Sequence, residues 1–276
     1  LDMTSKDGSP RSLKVVIDAS NGMAGTMIPK IFSKHAAGGL GAVAGLHIVE
    51  LNFENSKGNF AHEPNPLVAE NLRQLQDAVK AQKADLGVCF DGDADRCVLV
   101  DEKSQIVGCD HLTALLAKYF LAKRLGAAVA YALRSTKAVE EEIKAAGGKP
   151  VRGRVGHVFM KQALADNRGV FGGELSGHFY FEDNFNADSG AIAMAVALTV
   201  LAKSGKSMSQ LISPIARYVQ SGEINFQIEE KDAAIAELKK TFGPGSDSKG
   251  HMDELDGVTI DCFASAGWWC NVRKSN

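Results

Sequence analysis

Three aspartates at alternate positions are the residues of this sequence with the clearest chemistry. Asp91, Asp93 and Asp95 lie in the run Asp-Gly-Asp-Ala-Asp-Arg between two apolar segments, which places them at the tip of a strand. Carboxylate oxygens without histidine or thiolate select Mg²⁺ or Ca²⁺ over zinc, and the small residues between them let the backbone curl. Because three carboxylates so close repel one another without a cation, the run predicts a metal site. Arg96 follows directly and can bind an oxyanion held by the same metal.

Two other uses of this aspartate run must be weighed. An EF-hand loop would place ligands at the three aspartates and at Glu102, but its sixth position needs glycine and holds Arg96, and the flanks are strand-like. A phosphatase of the Asp-x-Asp type would use Asp91 as its nucleophile. No threonine follows at the expected position and no separate lysine motif is evident, so the phosphatase ranks last but stays open.

Glycines and polar residues form a second segment, 172–178, that could contact a small ligand. Glu174, Ser176 and His178 alternate, so they would point to one side of an extended segment. A carboxylate beside a hydroxyl and an imidazole suits neighbouring sugar hydroxyls, which both donate and accept hydrogen bonds. A glycine-rich hairpin with a polar rim explains the same run equally well, and both interpretations stay open.

Two further polar positions are weaker candidates. His157 lies at a strand-to-helix junction, where its ring could donate to a phosphate oxygen or shuttle a proton, although a lone histidine there is more often incidental. The run Arg273-Lys274-Ser275-Asn276 follows a strand and could form an anion-binding turn. On the residues alone, a frayed chain end is the better interpretation of that run.

The composition is that of an ordinary globular protein. With 276 residues, 45% hydrophobic and 23% charged, the chain predicts roughly two domains with sizeable cores. The net charge of -2 leaves no basic excess for a phosphate backbone and argues against nucleic acid as a partner. The longest apolar helical run, residues 191–202, is too short to span a bilayer and predicts a buried core helix, so no membrane partner is expected.

Cysteine usage predicts a cytoplasmic protein with reduced thiols. The count is odd, no Cys-x-x-Cys spacing occurs, and several cysteines lie in strand-like runs. The positions are Cys89, Cys97, Cys109, Cys262 and Cys270. Residues 1–11 form a polar N-terminal segment without the features of a signal peptide.

Strand-like runs alternate with helical patterns through most of the chain, which is the rhythm of βαβ units. In residues 67–83, for example, apolar side chains recur four, three and four positions apart, which places them on one face of a helix. The first round of predicted elements is strand 13–18, helix 23–35, strand 47–51, helix 67–83 and a strand into Asp91. The second is helix 110–124, strand 127–133, helix 137–146, strand 150–155, a helix from 157, strands 170–174 and 178–182, and helix 188–203.

The pattern changes after Tyr218, where Pro214 and residues 220–222 mark a hinge. A smaller unit is predicted beyond it, with strand 223–229, helix 232–241, and strands 258–264 and 268–272. The fold class is therefore α/β, with two consecutive βαβ-type mixed-sheet domains followed by a smaller α+β domain.

Six motifs, taken together and in order, resemble those of the α-D-phosphohexomutases, specifically the phosphomannomutase/phosphoglucomutase branch. They are residues 16–25, 58–66, the 91–96 run, 155–157, 173–178 and 271–276. The resemblance spans almost the whole chain, and the Ser-Gly-His run is more similar to the mannose and glucose enzymes than to those for N-acetylglucosamine phosphate. It implies family domain II at 12–109, domain III at 110–219 and part of domain IV at 220–276.

The resemblance implies an isomerase-class intramolecular phosphotransferase. Such an enzyme reversibly moves phosphate between C1 and C6 of a hexose, through a phosphoserine and a hexose 1,6-bisphosphate, and its substrates would be mannose or glucose 1- and 6-phosphate. It implies that Asp91, Asp93 and Asp95 bind Mg²⁺, that Arg96 contacts the transferring phosphoryl group and that His157 acts as acid or base. Glu174 and Ser176 would contact the sugar O3 and O4, with His178 and Arg134 nearby. The distal phosphate would be bound by Arg273, Ser275 and Asn276.

The sequence also departs from the family pattern. The Ser-His-Asn-Pro loop that carries the phosphoserine, in the first of four family domains, does not occur in this chain. The distal phosphate loop normally continues past Asn276. We therefore expect a fragment that is inactive alone, with its last domain truncated; a non-catalytic sugar-phosphate binding module is the alternative.

Overall fold

A computed structural model describes residues 1–5, 7–32, 43–243 and 250–274. Within these residues the chain forms three sheets, one in each of three consecutive units. The first two sheets mix parallel and antiparallel strands, and the third is antiparallel. The predicted fold class is confirmed.

The first unit is built on a five-stranded sheet. Its elements are β1 (Leu13–Asp18), α1 (Ala24–Phe32), β2 (Leu46–Leu51), a 3₁₀ turn (Ala69–Leu72), α2 (Arg73–Gln82), β3 (Leu86–Phe90), β4 (Cys97–Asp101) and β5 (Ile106–Val107). The strand order is β2-β1-β3-β4-β5. Strands β2, β1 and β3 are parallel, β4 is antiparallel to β3, and β5 is antiparallel to β4. Helix 67–83 is thus shorter than its apolar spacing predicts, and the predicted continuation of α1 to residue 35 lies outside the described residues.

The second unit repeats the plan with a four-stranded sheet. Its elements are α3 (Cys109–Lys123), β6 (Ala128–Ala132), α4 (Lys137–Ala145), β7 (Lys149–Gly153), α5 (His157–Asn167), β8 (Gly169–Gly173), β9 (Phe179–Phe181), α6 (Gly190–Ser204) and α7 (Met208–Ile212). The order is β7-β6-β8-β9, with β9 antiparallel to its neighbour. Parallel neighbours put the carboxyl ends of β6, β7 and β8 at one edge of the sheet.

Helix α6 belongs to both units. It packs against β4 of the first and α3 of the second. Leu99, Leu116 and Leu198, from these three elements, belong to one continuous buried cluster. The prediction that residues 191–202 form a buried core helix is confirmed.

The third unit has its own small core. Its elements are α8 (Lys231–Phe242), β10 (His251–Asp253), β11 (Val258–Cys262), α9 (Phe263–Ala266) and β12 (Trp268–Val272). Val258 and Ile260 of β11 are buried against apolar residues of α8. It meets the second unit through the ion pair of Lys137 with Asp261 at 2.6 Å and through an edge-on contact of the Tyr218 and Phe263 rings.

The predicted strand 223–229 is wrong. Residues 219–228 have no regular secondary structure, and Ile224, Phe226 and Ile228 are exposed. Alternating apolar residues form a strand only where a neighbouring strand completes the hydrogen bonds. Among the described residues, no strand pairs with this segment.

The cysteines fit the prediction of reduced core thiols. All five are free, and four of them are buried. Burial raises the pKa of the Cys89, Cys97 and Cys109 thiols, which makes them poor nucleophiles. A search of the described part of the chain finds no helix long and apolar enough to cross a membrane.

Candidate active site

The aspartate loop, residues 91–96, connects two antiparallel strands. Phe90 at the end of β3 pairs with Cys97 at the start of β4, so the loop closes a hairpin. Ligand oxygens of Asp91, Asp93 and Asp95 all lie within 4.8 Å of one another. The three carboxylates converge at a strand tip, as their spacing predicts.

The carboxylates of this loop differ in their surroundings. Asp91 is 1% exposed and accepts hydrogen bonds from Arg96 N at 3.2 Å and Arg96 Nε at 2.7 Å. Asp93 is exposed, whereas Asp95 Oδ1 is buried and has no hydrogen-bond partner among the described residues, with Arg96 Nε 3.8 Å away. A buried oxygen without a donor is destabilising, and a cation would satisfy it. An all-oxygen donor set with an unpaired buried oxygen fits a hard divalent cation.

Close backbone packing fixes the shape of the loop. Ala94 has a φ of 67°, in the left-handed region that costs an alanine about 1–2 kcal/mol. The Gly92 carbonyl accepts from Met23 N at 2.9 Å, and a Cβ on Gly22 would come within 2.6 Å of the same oxygen. The Phe60 ring lies against Gly92 as well. The strained curl that brings the carboxylates together is therefore supported by neighbouring loops.

The acidic cluster predicts a pH dependence of metal binding. Burial and the negative charge of Asp91 raise the pKa of Asp95 to about 6. Metal binding needs the ionised carboxylate, so affinity is full above this pKa and is lost as pH falls through it. We predict that Mg²⁺ affinity is level above about pH 7 and falls about tenfold per pH unit below about pH 6. Isothermal titration calorimetry across this range measures it, and a constant affinity down to about pH 5 would contradict the prediction.

Residues 174–178 form a turn between β8 and β9. Glu174 N donates to His178 O at 3.0 Å, and Gly177 has a φ of 86°, which reverses the chain. The expectation that Glu174, Ser176 and His178 point to one side of an extended segment is therefore wrong. The alternative of a glycine-rich hairpin describes the backbone.

Glu174 is held on both of its carboxylate oxygens. It is 3% exposed, with Oε1 accepting from the Tyr180 hydroxyl and Oε2 accepting from Gly156 N at 3.1 Å. Nearby in the same turn, Ser176 Oγ is buried and has no hydrogen-bond partner in the part of the chain that the structure describes. A fixed carboxylate and an unpaired hydroxyl can bind ligand hydroxyls, because one accepts while the other can donate or accept.

The aspartate loop and the 174–178 turn are joined through the main chain. Arg96 and His178 form an antiparallel bridge, and Cys97 N donates to Gly177 O at 3.2 Å. A Cβ on Gly190, at the start of α6, would come within 2.9 Å of the Arg96 carbonyl. Two loops that are 80 residues apart in sequence thus share a backbone junction.

Charged side chains surround this junction. His178 Nδ1 lies 2.7 Å from Asp188 Oδ2 and 3.7 Å from Asp95 Oδ2. Burial lowers the pKa of His178, but the hydrogen bond to Asp188 and the charge of Asp95 outweigh it and raise this pKa above its ordinary value. Asp188 also pairs with Lys161 at 3.2 Å. The raised pKa favours the protonated form of His178, whose ring lies between Asp95 of the aspartate loop and Asp188 before α6.

Three loops of the second unit lie at the carboxyl edge of its sheet, and they contain Arg134, His157 and Glu174. His157 is the first residue of α5 and is exposed, and the Gly156 bond ties its loop to Glu174. Arg134 Nη1 donates to Glu223 at 2.7 Å, and its buried Nε has no hydrogen-bond partner within the described ranges. The strand ends thus gather these three predicted residues at one edge.

Arg273 approaches the same edge from the third unit. Its Nη1 lies 3.6 Å from Asp256 Oδ2, and the same oxygen accepts from Val155 N at 3.2 Å, just before α5. Ser275 and Asn276, which the resemblance assigns to the distal phosphate, lie outside the described residues.

Sequence reasoning misses three side chains of this region, namely Tyr180, Asp188 and Lys161. The pattern identifies Tyr180 only as a strand residue and Asp188 only as a helix start. A tyrosine in a buried strand must find a partner for its hydroxyl, and that is the one signal the sequence offers. Its partner depends on the turn, which local pattern does not fix.

Comparisons with known proteins show the family of this chain. The family model described as phosphoglucomutase/phosphomannomutase, alpha/beta/alpha domain II, matches residues 2–105, and that of domain III matches residues 109–218. A phosphomannomutase of Methanocaldococcus jannaschii is 36% identical over 248 residues, which are 87% of this chain and 54% of that protein. The chain belongs to the phosphoglucomutase/phosphomannomutase family.

Solved structures of phosphohexomutases share the fold of this one. A phosphoglucomutase/phosphomannomutase family protein from Burkholderia thailandensis matches with a TM-score of 0.78 and 29% identity, covering 94% of this chain and 53% of that one. An Aspergillus fumigatus N-acetylphosphoglucosamine mutase in complex with GlcNAc-6P and magnesium matches with a TM-score of 0.56, covering 87% of this chain and 55% of that one. At 16% identity this second match supports the fold alone. The chain spans about half the length of the curated relatives it matches.

Proposed function

We propose that this chain carries the metal-binding and sugar-binding parts of a phosphohexomutase that moves phosphate between C1 and C6 of a hexose. The observation that carries the proposal is the backbone junction of Arg96 with His178, since it sets a carboxylate cluster beside a turn suited to sugar hydroxyls. Glucose and mannose phosphates are the proposed substrates, because Glu174 and Ser176 would contact O3 and O4 and these sugars differ only at C2.

The aspartate loop is the proposed Mg²⁺ site. Asp91, Asp93 and Asp95 would hold the ion, and their all-oxygen donor set suits it. When bound, Mg²⁺ acts as a Lewis acid that neutralises charge on phosphoryl oxygens. Arg96 would bind the transferring phosphoryl group, because its Nε is used by Asp91 while its terminal nitrogens have no hydrogen-bond partner among the described residues.

Proton transfer and phosphate binding are assigned to the remaining residues. His157 is exposed at the start of α5, and we assign it the role of acid or base at the reacting sugar hydroxyl. Arg134 and His178 would lie beside the sugar. Arg273, with Ser275 and Asn276, would hold the phosphate that does not react. The fixed carboxylate of Glu174 would orient the sugar for transfer.

A phosphatase with Asp91 as nucleophile has less support. Asp91 is 1% exposed, and both of its oxygens accept hydrogen bonds from Arg96. These bonds orient the Asp91 carboxylate, and the lone pair left on each oxygen suits a metal ion, so the role of metal ligand is favoured over that of nucleophile.

Sugar binding can be tested separately from metal binding. We predict that Glu174→Gln weakens binding of glucose 1-phosphate about tenfold, because a charged acceptor of the sugar hydroxyls is lost. Mg²⁺ affinity should stay at the wild-type value. Titration calorimetry of each ligand measures both. Glu140→Gln is the matched control, because Glu140 also accepts from a buried tyrosine, Tyr131, but on α4.

Equal loss of metal and sugar affinity in Glu174→Gln would contradict the division of roles. A wild-type chain that binds no hexose phosphate would contradict the proposed sugar site. Turnover belongs to the whole protein, so the mutase assay is to be made on the full-length enzyme, with hexose bisphosphate as primer. Binding without turnover there would favour a non-catalytic binding module.

A further inference from the structure

Tyr180 lies behind the sugar-binding turn and is completely buried. It sits in the middle of β9, where it is 0% exposed and pairs with Gly172 of β8. Its hydroxyl donates to Glu174 Oε1. A buried phenol needs a hydrogen-bond partner, so Tyr180 and Glu174 constrain one another.

The position of the Tyr180 ring is fixed from several sides. It packs in a buried cluster with Ala130, Met160 and Leu164, from β6 and α5. The His178 ring stacks on it with centroids 6.2 Å apart. A ring held by two elements of the core cannot follow the motion of a surface turn. The hydroxyl is therefore a fixed point to which the Glu174 side chain is bonded.

The hydrogen bonds of Glu174 leave a defined binding capacity. A carboxylate has about four lone-pair positions. Tyr180 and Gly156 N each take one, on different oxygens. About one position on each oxygen remains, which matches a pair of neighbouring hydroxyls on one sugar ring.

We infer that Tyr180 is a positioning residue that holds the Glu174 carboxylate ready for two vicinal hydroxyls of the substrate. The inference rests on the proposed function, because it assigns the sugar to Glu174. Tyr180 itself does not touch the sugar. Through Glu174 it also constrains Gly156 N, so the start of α5 and its His157 depend on the same hydroxyl.

The test is Tyr180→Phe, which removes the hydroxyl and keeps the ring. Tyr131→Phe is the matched control, since Tyr131 is 5% exposed, lies in the same sheet and donates its hydroxyl to Glu140. Both variants lose one buried hydroxyl bonded to a glutamate. Their losses in melting temperature should therefore be similar, and only Tyr180→Phe should affect the site.

The first readout needs no sugar. Amide hydrogen exchange, followed by NMR, reports whether Gly156 N is still bonded to a fixed carboxylate. We expect exchange at Gly156 to be about tenfold faster in Tyr180→Phe and unchanged in Tyr131→Phe. Unchanged exchange at Gly156 in Tyr180→Phe would overturn the inference.

The second readout is discrimination among sugars. In Tyr180→Phe, affinity for glucose 1-phosphate should fall about tenfold, whereas affinity for its 3-deoxy and 4-deoxy analogues should fall much less. The double variant with Glu174→Gln should bind no more weakly than Glu174→Gln alone, because both act through one carboxylate. Equal losses for all three sugars, or additive losses in the double variant, would indicate a merely structural tyrosine. A wild-type chain that binds none of these sugars would refute the proposed function, while exchange at Gly156 would still decide the positioning role.

Discussion

Replacing Asp93 by asparagine should abolish measurable Mg²⁺ binding and leave the fold unchanged. Asp93 is exposed, so its substitution removes one of the three convergent carboxylates of the proposed Mg²⁺ site without leaving a cavity in the core. Loss of a direct ligand should exceed the roughly 10–100-fold effect that is typical of residues behind a metal, so we expect a fall in affinity of at least about 100-fold. Titration calorimetry at about pH 8, where Asp95 is ionised, measures this.

The control for this substitution is Asp77→Asn. Asp77 is also an exposed aspartate of the first unit, on α2, and its substitution changes the net charge by the same amount. Its Mg²⁺ affinity should equal that of the wild type. If both variants lose affinity equally, general electrostatic attraction holds the ion and the aspartate loop is not its site.

The second large effect is expected from Gly22→Ala, which should destabilise the protein and impair the metal site together. The new Cβ would come within 2.6 Å of the Gly92 carbonyl, and this backbone cannot move without shifting the aspartate loop. Overpacking of this kind costs about 1–3 kcal/mol. Because metal ligands must hold their geometry closely, we also expect Mg²⁺ affinity to fall by about tenfold or more. Thermal denaturation and metal titration of one preparation measure both effects.

Gly25→Ala separates crowding in general from crowding of the metal site. Its Cβ would come within 2.7 Å of the Phe53 carbonyl, a similar approach to a different neighbour. We expect a comparable loss of melting temperature with Mg²⁺ affinity near the wild-type value. An unaffected metal affinity in Gly22→Ala would show that the aspartate loop adapts to the added methyl group.

Much of the fold can be predicted from the sequence, because apolar patterns typical of strands and helices alternate along the first two units. Residues 13–18 form β1 as their apolar run predicts, and residues 191–202 are buried as their composition predicts. Both depend on contacts with a large sheet or core that the chain itself supplies. The segment 223–229 has alternating apolar residues but no neighbouring strand among the described residues, so the strand predicted there does not form. Alternation of apolar residues predicts which side chains share a face, whereas a strand also requires a neighbouring strand for its hydrogen bonds.

The site is predictable to a smaller extent. Spacing alone brings the three aspartates together, because they share one hairpin loop. The prediction that Glu174, Ser176 and His178 point to one side is wrong, because Gly177 has a left-handed conformation that reverses the chain. The partners Tyr180 and Asp188 depend on tertiary packing and are invisible to local pattern. The residue types thus indicate which ligands the site could bind, whereas tertiary packing determines which side chains contact one another there.

The first two units share one hydrophobic core through α6, and this determines where the chain could be cut into independent domains. Leu99, Leu116 and Leu198 belong to one continuous cluster, although family domains II and III meet in sequence between residues 105 and 109. A cut at that boundary would expose apolar surface on both halves, so we expect the two domains to unfold together as one cooperative unit. The third unit has a separate core and contacts the second through a few side chains, such as Lys137 with Asp261 and Tyr218 with Phe263. Exchange between homologues would therefore be tolerated at the linker near residue 220 and not at the junction of the two larger domains.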